Sequence, residues 1–155
     1  MVKLENIVGV VEGLRGRTVD NIYDLFFAEK RAVAAVVLFF SDLTDIYRKI
    51  GVWTFLFGNY SEHGQVRMRS ERLINERRLA FKDKTLDEIL ALHKASLEID
   101  YENIVSVIVK EGLLQTSLQF VVQGSPEKKI DFRLDGSQIA EVEGLIKKVL
   151  PNKTR

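Results

Sequence analysis

The sequence predicts one α+β domain over residues 1–155: an antiparallel sheet of about seven strands, covered by a C-terminal helix and interrupted by a helical insertion at 41–95. Three observations carry that prediction. Strand-like segments follow one another at hairpin spacing at both ends of the chain, which indicates a meander and not βαβ units. The middle of the chain is charged, with apolar residues at helical spacing. The last apolar stripe, Ile139 to Leu150, has the period of a helix and stops at Pro151.

The elements follow in order. Leu4–Leu14 is rich in Val and Ile and closes at Gly13-Leu14-Arg15-Gly16, read as a turn. Ile22–Ala28 and Arg31–Phe40 flank Glu29-Lys30 as a tight hairpin, and the continuously apolar Ala32–Phe40 predicts burial on both faces. Ser41 or Asp42 caps a short helix through Ile50. Gly51–Tyr60 gathers Trp53, Phe55, Phe57 and Tyr60 with no clear period. Glu62–Lys82 is helical, with Val66, Leu73, Ile74, Ala80 and Phe81 as a narrow apolar stripe. Thr85-Leu86-Asp87-Glu88 has the pattern of a capping box before a helix ending near His93. Strands return at Leu97–Asp100, Ile104–Lys110, Leu113–Val122 and Lys128–Leu134, the last with Ile130, Phe132 and Leu134 on one face. Asp135, with Gln138 three residues on, caps the final helix, whose inner face is Ile139, Val142, Leu145, Ile146, Val149 and Leu150.

Composition narrows the chemistry. The chain has no cysteine, which excludes disulfides, zinc–thiolate sites and thiol catalysis and fits a reducing compartment. Its 23 basic and 22 acidic residues nearly cancel, so no global field draws it to nucleic acid, and nucleic acid is not expected as a partner. No apolar run approaches the roughly twenty residues of a membrane span, and the N-terminus lacks the pattern of a signal peptide. The expected location is cytoplasmic, peripheral at the membrane where the ligand is lipid.

Two stretches bear a family likeness. Tyr23-Asp24-Leu25-Phe26-Phe27-Ala28-Glu29-Lys30-Arg31-Ala32-Val33 resembles the strand–turn–strand of GRAM and bacterial PH-like domains, with Ala28 where threonine is usual. Ile99-Asp100-Tyr101-Glu102-Asn103-Ile104-Val105-Ser106-Val107 resembles the I-x-Y-x-x-I-x-x-V entry to their next strand. The likeness covers the chain outside 41–95 and implies a PH-like antiparallel barrel capped by the C-terminal helix. Prokaryotic PH-like proteins of uncharacterised function carry similar text with a helical insertion between these stretches. Such a fold hosts many functions, so function has to be argued from a site.

Candidate contact residues fall in three groups. Arg15 and Arg17 lie where phosphoinositide-binding PH domains collect cations, although Asp20 and Asp24 follow at once. Residues 66–84 hold Arg67, Arg69, Arg72, Arg77, Arg78, Lys82 and Lys84 against Glu71, Glu76 and Asp83, an excess of four positive charges. That segment is either a solvated helix face, with Arg72–Glu76 as an i,i+4 pair, or a contact for an anionic surface. Trp53 and Phe55 lead an aromatic cluster that suits core packing, a subunit interface or a membrane contact. His63 and His93 have no paired carboxylate motif, no metal site or cofactor is expected, and no catalytic motif is found. The expectation is a non-catalytic binding module docking on a membrane surface or a protein partner. One alternative is a structural domain that forms homo-oligomers through the 41–95 insertion; another is an enzyme with an unrecognised pocket.

Overall fold

Aromatic and β-branched residues from both ends of the chain assemble into one antiparallel sheet. The structure is a computed structural model that describes residues 5–16, 21–51 and 60–154, apart from the side chains of 60–62. Its strands are β1 (Ile7–Gly16), β2 (Ile22–Ala28), β3 (Arg31–Leu38), β4 (Leu97–Asp100), β5 (Ile104–Glu111), β6 (Thr116–Val122) and β7 (Lys128–Leu134). They lie in the order β4-β3-β2-β1-β7-β6-β5. The described helices are α1 (Phe40–Ile50), α2 (Tyr60–Phe81), α3 (Leu86–Ala91) and α4 (Ile139–Val149).

The two faces of β2 and β3 serve two separate cores. Tyr23, Leu25, Phe27, Ala32, Ala34 and Val36 point into the main core, which α4 covers with Val142 and Ile146 and closes with its C-cap, Leu150. The alternate residues Phe26, Ala28, Val33, Ala35 and Val37 point the other way and pack with Phe81 of α2 and Leu86 and Ile89 of α3. A period of two that is apolar in both phases explains the unbroken run in the sequence. The helical segment therefore covers the back of the hairpin, and each large side chain it buries there contributes up to about 1.5–3 kcal/mol.

Gly13-Leu14-Arg15-Gly16 is not a turn. Gly13 has φ +76° and sits at a register shift between Val11 and Leu14, so it forms a bulge and β1 runs on through Gly16. Positive φ costs glycine little, and a bulge of this kind bends a strand without ending it. Glu29-Lys30 does connect β2 to β3 directly.

The sheet does not close into a barrel: β4 and β5 stand at the two ends of the strand order. β4 has only four residues, and the 3₁₀ turn Tyr101–Asn103 follows it at once, leaving little backbone to pair across the seam. The C-terminal tail lies along β5 there. Val107 N–H donates to the Lys153 carbonyl at 2.8 Å, and Thr154 forms a parallel bridge with Val107. The Lys153 ammonium donates to the carbonyls of Ile104 (2.6 Å) and Tyr101 (3.2 Å), and the Tyr101 hydroxyl donates to the Ala28 carbonyl.

Capping follows local chemistry. Thr85 Oγ1 accepts from Glu88 N–H, and Asp135 with Gln138 forms the reciprocal box before α4. Asp42 is not the N-cap of α1. It is the third residue in, and its carboxylate accepts from the amide of the N-cap Phe39 at 2.7 Å.

Candidate docking surface

Helix α2 shows how a charged segment divides its cations. Its inner face recurs at Val66, Ser70, Arg77 and Phe81, with Leu73 and Ile74 half-buried, while Ala80 is exposed. Ser70 satisfies its hydroxyl by donating to the Val66 carbonyl one turn back. Arg77 reaches α1, donating to Asp42 at 2.6 and 3.1 Å and to the Val37 carbonyl at 3.0 Å. Its guanidinium also lies 5.4 Å from the centre of the Phe39 ring.

Arg78 makes the deeper contact. It forks onto Asp24 of β2 at 2.7 and 2.9 Å, and that carboxylate, 2 % exposed, also accepts from the bulge amide of Gly13 at 3.0 Å. The Asp24 hydrogen bond, opposed in part by burial, raises the Arg78 pKa above its ordinary value. A planar fork on a buried carboxylate fixes geometry as well as charge. The bulge, the strand and the helix meet at this one group.

These two ion pairs change the charge of the surface. With Arg77 committed to Asp42 and Arg78 to Asp24, the excess of four positive charges over residues 66–84 falls to two. Arg67, Arg69 and Arg72 are exposed, and Arg67 pairs with Glu71 at 3.2 Å. Met68 and Leu79 stand out from the helix at 61 % and 66 % exposure. Eleven residues, about three turns, separate them, so they share the outer face with Arg72 between.

Arg15 lies in the β1 ladder opposite Ile22 and Arg133, not in a loop. Arg17, Trp53 and Phe55 lie outside the described residues. The structure thus brings Arg67, Arg69 and Arg72 onto one exposed helix, turns Arg78 inward, and sets Arg15 on the sheet.

Other features are missed by sequence reasoning. Arg31, read as the first residue of a strand, is a hub: its guanidinium pairs with Glu5 ahead of β1, Asp87 of α3 at 2.8 Å and Glu98 of β4 at 3.1 Å. Hydrogen bonding to Glu5 is the main cause that raises its pKa, against the cost of burial. Leu113 and Leu114, read as the start of a strand, form the β5–β6 hairpin tip and are fully exposed, at 106 % and 99 %. The signal was a length mismatch, because Leu113–Val122 is longer than its partner Ile104–Lys110 and the surplus has to lie in the loop. Behind the tip, a groove of about 450 Å³ is lined by Lys110, Gln115, Ser117, Gln119, Asp131 and Arg133, among others. Gln119 Nε2 donates to Asp131 at 2.8 Å across its floor.

Among the described residues no group of three or more His, Asp or Glu side chains could hold a metal ion. No described helix is long and apolar enough to cross a membrane. No protein-family model matches the chain, and no curated protein sequence matches it significantly.

Proposed function

We propose that this chain is a non-catalytic docking module of PH/GRAM-like architecture, its barrel left open at one seam, and that it docks on a protein surface through the outer face of α2. One observation carries the reading: Met68 and Leu79 are exposed on one helix face, with Arg72 between them. Methionine and arginine are, with the aromatic residues, enriched at protein interfaces, and arginine is a frequent anchor there. Exposed Glu71 and Glu76 interrupt the cations, which favours a partner of mixed charge over a uniformly anionic surface. The ion pairs of Arg77 and Arg78 fix the helix on α1 and the sheet, so docking would order little that is not already ordered.

A photoreactive residue tests this directly. Asn75→p-benzoylphenylalanine sits on the same outer face, and irradiation in cell extract should give one discrete adduct. Met68→Ser with Leu79→Ser should remove that adduct and leave the melting temperature nearly unchanged, since neither side chain is buried. An adduct at twice the chain mass, formed by purified protein, would identify the partner as a second copy. Absence of any adduct, or an adduct that survives the double substitution, would sink the proposal.

A further inference from the structure

The β5–β6 hairpin tip carries an inference independent of α2. Gly112 N–H donates to the Gln115 carbonyl at 3.0 Å, closing a tight turn around Leu113 and Leu114. A Cβ at Gly112 would lie 2.7 Å from that carbonyl oxygen, so the turn at this tightness requires glycine. Two adjacent leucines are thereby held at the convex end of a ladder that runs in register from Glu111↔Thr116 down to Ser106↔Val121. At 106 % and 99 % exposure they contact almost nothing of their own chain.

We propose that this tip is a membrane-interface anchor, in which Leu113 and Leu114 enter the acyl region of a bilayer while the polar side chains behind them stay at the headgroups. Size is the first argument. Two side chains on a convex turn fall far short of the roughly 800 Å² per partner that a stable protein interface buries. A bilayer needs no matching cleft, because it deforms around small apolar projections, and it accepts them reversibly. Charge is the second. Lys110, Arg133, Glu111 and Asp131 line the groove just behind the tip and balance one another. That balance suits zwitterionic headgroups, whereas anchoring by a polybasic patch needs acidic lipid.

The absence of cysteine makes the experiment clean, since a single introduced thiol is the only labelling site. The full chain carrying Leu114→Cys, labelled with an environment-sensitive fluorophore, is titrated with phosphatidylcholine vesicles. A second labelled chain, Glu127→Cys in the β6–β7 turn, is the control. The label at 114 should shift to the blue and brighten, the label at 127 should not, and high salt should change little. In co-flotation of unlabelled protein, Leu113→Ser with Leu114→Ser should lower partitioning about a hundredfold, tenfold for each leucine, with unfolding unchanged. The proposal is overturned if the unlabelled chain does not float with vesicles or the double variant floats equally well. It is also overturned if binding needs phosphatidylserine and vanishes at high salt, or if the leucines mediate only a concentration-dependent rise in mass.

Discussion

The adjacent Arg77 and Arg78 both tie α2 to the rest of the fold, through Asp42 and Asp24, and the second tie is measurable. Arg78→Met strands the Asp24 carboxylate in a site 2 % exposed, with only the Gly13 amide to answer it. Breaking a buried pair from one side costs about 3 kcal/mol or more. Asp24→Asn should cost less, because Arg78 lies at the edge and has Glu12 at 3.6 Å. Adding Arg78→Met to Asp24→Asn should then cost little more, and denaturant curves of the three variants give the cycle; equal, small losses throughout would mean that the pair is not a strut. A second prediction concerns acid. Burial first, then the charge of Arg77, holds His93 below its ordinary value of 6.5, with Asp42 opposing. Burial would raise Asp42, but hydrogen bonds from Arg77 and the Phe39 amide outweigh it and hold the carboxyl below 3.8. Both folded values are depressed, so both groups stabilise the fold above their unfolded values and lose that contribution as pH falls. The His93 contribution fades first, below about 6.5, and His93→Gln should flatten that part of a plot of melting temperature against pH while leaving the carboxylate limb. None of these pairings was legible in sequence. Asp24 and Arg78 are 54 residues apart, and an apolar count along α2 passes over Ser70 and Arg77, which complete its inner face.

At the scale of the element, much more could be read beforehand. Ile22–Ala28, Leu97–Asp100 and Lys128–Leu134 form strands over the residues their patterns indicate, and α4 begins at the box that Asp135 and Gln138 form. Errors cluster where backbone geometry, not hydrophobic period, decides. A glycine that bulges looks like a glycine that turns, and leucines at a hairpin tip look like leucines in a strand. The seam between β4 and β5 was invisible because its seal is a lysine near the C-terminus, working through backbone carbonyls. Lys153→Met removes both of those charged hydrogen bonds and should lower stability by about 1.5 kcal/mol. Lys153→Arg keeps a charged donor at the end of a stem of similar length, so it should recover part of that loss. Thermal melts of the two variants settle the point: an unchanged Lys153→Met protein would show that the tail does not hold the seam.

At the scale of the molecule, the inserted helices are part of the fold. Read from the sequence, residues 41–95 can be cut away to leave 100 residues, a normal size for a small domain. In the structure that cut would bare Phe26, Val33, Ala35 and Val37, all buried beneath α2 and α3. A chain joining Phe40 directly to Ser96 should therefore bind hydrophobic dyes and aggregate instead of melting cooperatively. A soluble truncated chain with a sharp transition would show that the second core is dispensable. The fold class, an antiparallel seven-stranded sheet with a C-terminal helix, was accessible from periodicity alone, but a barrel was expected where the sheet is open.

Burial of the β2–β3 hairpin on both faces also sets the order in which the molecule opens. An amide in that hairpin has a core above it and a core below it, so local fluctuation cannot bring solvent to it unless both helical layers lift together. Its deuterium uptake should follow global unfolding alone and track denaturant stability one for one. Amides of β4, a four-residue edge strand, should exchange through smaller openings that denaturant barely affects. The chain would then carry its slowest clock in the β2–β3 hairpin and its fastest in the edge strand beside it, and native-state exchange would read the two rates side by side.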